Sequence, residues 1–148
     1  MEKQYLEDLK VGDKWISREQ VINSDDIKAF AKDYDPQPFH LDEAAAKDTF
    51  FAGLAASGWQ TASITMRLMV ETIPIATGLI GAGGQISWPR PTRPGDSLHM
   101  VAEVIEIKPS RSKPDRGIVT VQIDTLNQEG EAVQTFTCNM LAFRRSNR

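Results

Sequence analysis

The sequence predicts an α+β protein in which an antiparallel β-sheet curls around one long α-helix. Helical patterns occupy the first half of the chain, and strand-like segments with short links follow in the second half. Strands joined by short links favour antiparallel pairing, and a long apolar helix beside them buries its surface against that sheet. The length of 148 residues fits one domain, so we expect residues 1–148 to form a single folded unit.

The first predicted elements are a strand and a helix. The strand covers Lys14–Ile22 and follows a turn at Gly12. Ser24 has the residue type of a helix N-cap, and the aspartates after it suit the positive end of a helix dipole. Apolar residues then recur at helical spacing, at Ile27, Phe30, Ala31 and Tyr34. Pro36 cannot continue a helix, so Asp35 should lie just past its C-terminus.

Two further helices are predicted before the chain changes period. Asp42 can cap a short helix over residues 43–47. A long helix should run from Ser57 to Thr72 and end before Pro74. One apolar face of it is marked by Trp59, Ala62, Met66, Val70 and Ile73. Because other apolar residues extend this surface around the helix, we expect it to be buried against the sheet.

The second half of the chain reads as strands. The predicted strands are Leu79–Trp88, Leu98–Ile107, a segment around residues 119–124, and Val133–Phe143. The first of them contains three glycines, which weaken a strand but permit a β-bulge. Gly130, within residues 127–131, predicts a hairpin turn between the last two strands.

Composition argues against several classes of function. A net charge of −3 gives no electrostatic reason to expect nucleic-acid binding. Cys138 is the only cysteine and there are two histidines, so neither a disulfide nor a compact metal-binding cluster is expected. No segment approaches the roughly 18 consecutive apolar residues of a membrane span. The acidic N-terminus lacks an apolar signal core, so we expect a soluble, cytoplasmic protein.

The segment Tyr34–Asp42 combines a potential acid/base pair with two prolines. Proline disfavours helical geometry in the residue before it, so we expect Asp35 and Gln37 to be extended and the segment not to be helical. Five extended residues span roughly 17 Å, so Asp35 and His40 meet only if the segment kinks. A rigid kink that presents both groups suits general acid–base catalysis. The alternative is that Asp35 starts a turn and His40 is structural.

Ser57 and Gly58 open the long helix. Free backbone N–H groups and the positive dipole end at this point favour a developing oxyanion, and glycine allows a ligand to approach closely. The alternative is that Ser57 is only an N-cap and Gly58 only a packing residue. Ser57 can also orient Asp35.

Three segments together resemble the MaoC-like dehydratases, which include the (R)-specific enoyl-CoA hydratases. The family signature has an Asp, then Asn-Pro, then a His five residues after the Asp, then a short helix that contains Ala. Asp35, Pro38, His40 and residues 44–46 match it. The other two segments are Ala56-Ser57-Gly58-Trp59, at the start of the long helix, and Arg93-Pro94-Gly95-Asp96-Ser97-Leu98, before a strand. The sequence departs from the signature at Gln37, where Asn is usual, and at Tyr34, where Gly is common.

The resemblance implies a hotdog fold, a homodimer or dimer-based oligomer, and an acyl thioester substrate on CoA or acyl carrier protein. It implies reversible hydration of a trans-2-enoyl thioester without a cofactor. The implied catalytic residues are Asp35, His40, Ser57 and Gly58. Gln37, Phe39 and Trp59 are candidates for substrate binding, although aromatic residues also serve core packing. A hotdog thioesterase and a non-catalytic acyl-CoA-binding subunit stay open as alternatives.

Overall fold

A computed structural model describes residues 2–146 of the chain. The prediction of a single domain over 1–148 therefore extends at both ends beyond the described residues. After a 3₁₀ turn at Leu6–Asp8, the elements are β1 (Lys14–Ile16), β2 (Gln20–Val21), α1 (Ser24–Tyr34), α2 (Pro38–Leu41), α3 (Glu43–Ala46), α4 (Gly58–Thr72), β3 (Ile80–Ser87), β4 (Ser97–Pro109), β5 (Arg116–Leu126) and β6 (Ala132–Phe143). The predicted α+β class is confirmed.

The strands form one antiparallel sheet against which α4 packs. The strand order is β1-β4-β5-β6-β3, and β2 also pairs with β4. Along β5, buried and partly buried residues alternate without interruption, as a strand with one face in the core requires. The register of β3 shifts between Gly81 and Gly84, an irregularity of the kind that the glycines permit. Leu68 and Met69 of α4 lie in the core on this sheet, together with Met100 and Ile123.

The predicted buried face of α4 is wrong for three of its five residues, although Ile73, directly after the helix, is buried. Trp59, Met66 and Val70 are 59%, 39% and 54% exposed. The residues of α4 that are buried are Gln60, Thr61, Thr65, Leu68 and Met69. Because apolar residues surround much of the helix, periodicity alone could not select the inward face. The threonines can be buried because their hydroxyls find hydrogen-bond partners on neighbouring segments.

Two predictions near the N-terminus also need correction. The strand expected over Lys14–Ile22 is divided into β1 and β2, because residues 17–19 leave the ladder. The N-cap of α1 is Asn23 and not Ser24, since the Asn23 side chain accepts a hydrogen bond from the Asp26 amide at 2.8 Å. Ser24 is instead the first helical residue, and its hydroxyl donates to Glu43 at 2.7 Å.

None of the helices in the described part of the chain is long and apolar enough to cross a membrane.

Candidate active site

Asp35 lies at the C-terminal end of α1, as predicted. Its amide still donates to the Ala31 carbonyl at 2.8 Å, and Pro36 then prevents another helical turn. Its carboxylate is partly buried, with 19% of the side chain exposed. The C-terminal end of α1 therefore fixes the position of the Asp35 carboxylate.

The expectation that the following segment is not helical is wrong. Gln37 is extended, with φ −110° and ψ 148°, but Pro38–Leu41 forms a short helical turn that begins with proline. Proline is well tolerated at the first helical position, where its missing N–H leaves no bond unmade. This turn supplies the kink and brings His40 Nε2 to 3.4 Å from Asp35 Oδ2.

The hydrogen bonding of His40 determines which ring nitrogen faces Asp35. His40 Nδ1 lies 2.6 Å from the carbonyl oxygen of Ala55, and the His40 side chain is buried. A carbonyl can only accept, so Nδ1 carries a hydrogen and, in the neutral ring, Nε2 keeps its lone pair. The Asp35 carboxylate and Nε2 are then two acceptors side by side. Such a pair can receive both hydrogens of one water molecule.

The surroundings of Asp35 keep its carboxyl ionised. Partial burial acts to raise its pKa, but hydrogen bonds from Gln37 and Ser57, together with the positive charge that His40 carries when its ring is protonated, outweigh this and lower the pKa below its ordinary value. The Gln37 side-chain amide donates directly to Asp35 Oδ1. Asp35 is therefore suited to accept hydrogen bonds from water at neutral pH.

Ser57 and Gly58 begin α4 as predicted. The buried Ser57 is the N-cap, and its hydroxyl accepts from the Trp59 amide at 3.3 Å. Within residues 2–146, the Gly58 amide has no hydrogen-bond acceptor, as expected for the first residue of a helix. A Cβ at Gly58 would lie 2.6–2.9 Å from three atoms of the Trp88 ring. Gly58 therefore combines a free donor with close packing that only glycine permits.

His40 and Gly58 line one cavity of about 430 Å³. Its walls also include Phe50, Phe51 and Trp88. This volume and apolar lining suit a small-molecule site. A separate cavity of about 390 Å³ beside Arg18 contains none of the residues predicted to be catalytic.

The three residues predicted to bind substrate do not line this cavity. Gln37 contacts Asp35, and the Phe39 ring lies edge-on to His40 with centroids 4.6 Å apart. Trp59 lies edge-on to Trp88 at 5.3 Å and is largely exposed. Their direct contact with substrate stays a prediction, whereas within the protein they contact Asp35, His40 and Trp88.

The sequence interpretation missed three residues around the cavity. Thr61 and Thr92 lie on its wall, and Arg93 donates to the backbone carbonyls of Phe51, Gly53 and Leu54. These contacts join positions about 30–40 residues apart, so no local pattern could have revealed them. In the described residues, no group of three or more His, Cys, Asp or Glu side chains could hold a metal.

Comparison with known proteins relates this chain to one family. The family model of the MaoC-like domain matches residues 9–127. A 3-hydroxybutyryl-CoA dehydratase of Methylorubrum extorquens is 30% identical, over 87% of this chain and 82% of the relative. The uncharacterised protein YdeM of Bacillus subtilis is 32% identical, over 84% of this chain and 88% of its own.

Solved structures of the same family are also similar to this chain. The MaoC-like dehydratase from Rhodospirillum rubrum is 57% identical with a TM-score of 0.96, covering 97% of this chain and 99% of its own. The R-hydratase PhaJ1 from Pseudomonas aeruginosa is 27% identical with a TM-score of 0.75, covering 95% of this chain and 86% of its own. These similarities confirm the predicted hotdog fold.

Proposed function

Because the chain belongs to the family of MaoC-like dehydratases, we propose that it adds water reversibly across the trans-2 double bond of an enoyl thioester. The observation that carries this proposal is the Asp35–His40 pair: His40 Nε2 lies 3.4 Å from Asp35 Oδ2, and His40 lines a cavity together with Gly58. Water activation, proton delivery and carbonyl stabilisation each have a group suited to them there.

Water activation is the task of the acid/base pair. A water that donates one hydrogen to Asp35 and one to His40 keeps its lone pairs free to attack Cβ of the substrate. The pair takes one proton from this water as the C–O bond forms and returns one proton to Cα. The exchange consumes no net proton, and the reverse sequence eliminates water.

Carbonyl stabilisation is the task of Gly58. As the nucleophile adds to Cβ, negative charge develops on the thioester oxygen. The free Gly58 amide at the positive end of α4 is a donor that needs no rearrangement to hold this charge. Trp88 packs directly against Gly58, so the amide is held in place by a large side chain.

We propose further that the protein works as a homodimer or a dimer-based oligomer. Trp59, Met66 and Val70 expose apolar surface on α4, and β3 is an edge strand with mostly exposed side chains. Exposed apolar surface and an unpaired strand edge both favour association. Light scattering should give at least twice the 16.5 kDa mass of one chain; a monomer at assay concentration would contradict this.

The activity is tested by the loss of absorbance of the conjugated enoyl group, with crotonyl-CoA and longer trans-2-enoyl-CoAs. Asp35→Asn and His40→Ala should lower the rate by about 100- to 10,000-fold, because each removes an acid/base group. Asp33→Asn is the matched control, since Asp33 is exposed on the same helix, two residues earlier. Full activity of Asp35→Asn would exclude this pair as the catalytic groups.

A thiol-release assay on the same samples separates the alternatives. Hydration leaves the thioester intact and releases no thiol. Thiol release without loss of the double bond would identify a thioesterase. Binding of acyl-CoA without either reaction would identify a non-catalytic subunit.

A further inference from the structure

A pair of buried hydroxyl groups lies on the wall of the cavity. Thr61 on α4 and Thr92 on the segment before β4 are 2% and 3% exposed. Their Oγ1 atoms are 3.1 Å apart, and both residues line the cavity with His40 and Gly58. The few polar groups on the wall of a mainly apolar pocket are the ones that orient a ligand, and this wall also includes His40 and Arg90.

The hydrogen atoms of this pair are not all used. Two hydroxyls carry two hydrogens, and the bond between Thr61 and Thr92 uses one. Ser63 and Thr65 donate to the carbonyl one helical turn earlier, at 2.8 and 2.9 Å, but Thr61 makes no such bond. Across residues 2–146, the second hydrogen of the pair therefore has no acceptor. Both hydroxyls border the cavity, so this hydrogen can be donated to an acceptor on a bound ligand.

The position of the pair indicates which ligand atom this is. Thr61 follows Gly58 by three residues on α4, and helical side chains at this spacing share a face and tilt toward the N-terminus. Thr92 is held nearby, because its carbonyl accepts from the Ala56 amide at 2.9 Å. Gly58 and Thr61 thus lie on one face of the first turn of α4, and both border the cavity with Thr92.

We propose that the Thr61–Thr92 pair donates a second hydrogen bond to the thioester carbonyl oxygen that Gly58 holds. The inference rests on the proposed function. A carbonyl oxygen has two lone pairs, and the Gly58 amide occupies one. The hydroxyl keeps its proton throughout, so its role is to stabilise the enolate-like oxygen through a donor fixed by the fold.

The variants are chosen to preserve the fold. Thr61→Val with Thr92→Val replaces both partners by groups of the same shape, which is close to neutral for stability. The matched control is Thr65→Val with Thr125→Val, because these hydroxyls form another buried pair on α4, 2.6 Å apart, that does not line the cavity. Loss of one such donor should lower kcat by about 100-fold. The control should retain kcat, and Thr61→Ser alone should retain it too.

Infrared spectroscopy measures the bond directly. Butyryl-CoA labelled at the thioester carbonyl is saturated and does not react, so its carbonyl stretch can be recorded while bound. A hydrogen bond to the carbonyl lowers its stretching frequency. The frequency should be lowered less in the Thr61→Val/Thr92→Val variant than in wild type, and the Thr65→Val/Thr125→Val control should show the wild-type frequency. An unchanged frequency in the variant overturns the inference, whatever happens to kcat. A wild type without hydratase activity refutes the proposed function, while the frequency comparison still decides whether the pair donates.

Discussion

Gly58→Ala tests whether the packing of one indole ring holds the proposed oxyanion donor in place. The added Cβ would lie 2.6 Å from Trp88 Cε2, 2.8 Å from Cδ2 and 2.9 Å from Cζ2. These distances are well below a normal carbon–carbon contact of about 3.5–4.0 Å. The ring cannot swing away freely, because Trp88 Nε1 donates to Gln134 Oε1 at 3.0 Å. Either the indole or the first turn of α4 must move.

The expected cost follows from these contacts. Overpacking of a well-filled site typically destabilises by about 1–3 kcal/mol. For a domain of this size each kcal/mol shifts Tm by about 2–4 °C, so Gly58→Ala should lower Tm by about 2–12 °C. Displacement of the free amide should also lower kcat, by up to about 100-fold if the donor is lost.

The assay is thermal unfolding by circular dichroism, combined with enoyl-CoA hydration, in a double-mutant cycle with Trp88→Ala. Without the indole the clash disappears, so Gly58→Ala should then be neutral or slightly stabilising, since alanine is favoured over glycine in helices. Trp88→Ala also removes the hydrogen bond to Gln134 Oε1. This loss is the same in Trp88→Ala and in the Gly58→Ala/Trp88→Ala double variant, so it cancels when the two are compared. If Gly58→Ala lowers Tm equally in wild type and in the Trp88→Ala background, the clash with the indole is not the cause of the loss.

Two other predictions concern the surroundings of the site. Arg93→Met removes the hydrogen bonds to backbone carbonyls within residues 51–54 and should lower the free energy of unfolding by about 2 kcal/mol, measured by urea unfolding. The control is Arg111→Met, since Arg111 is exposed and its loss should change the free energy by close to zero. Equal stability of the two variants would contradict this prediction. Hydrogen bonds from Lys28, which has the largest effect, and from Ser24 lower the pKa of Glu43 to about 2. NMR titration of Lys28→Met should show this pKa raised part of the way toward about 4.3. An unmoved pKa would refute the role of Lys28. Because the folded pKa is depressed, the stabilisation by Glu43 is present above about pH 4.3 and is lost as pH falls toward 2.

Features that depend on neighbours along the chain could be predicted from the sequence. Pro36 cannot continue a helix, and α1 does end before it. Asp42 caps α3 and Ser57 caps α4, because a short acceptor side chain at that point satisfies a free amide of the first turn. The alternating pattern of β5 likewise needed only the geometry of a strand.

Predictions were wrong where local signals were equally strong for two outcomes. Asn23 and Ser24 are both good N-cap residues, and only the observed helix start selects Asn23. Pro38 can break a helix or begin one, and here it begins α2. The inward face of α4 was decided by contacts with the sheet and not by its hydrophobic pattern.

The sequence by itself determined that an acidic residue would follow a helix and that a histidine would follow it five positions later. Only the tertiary structure decided that Asp35 and His40 stand 3.4 Å apart, because this distance depends on the α2 turn and on the Ala55 carbonyl that holds the imidazole. The Thr61–Thr92 pair could not be anticipated at all. Its partners are 31 residues apart, and packing of the segment before β4 against α4 brings them together.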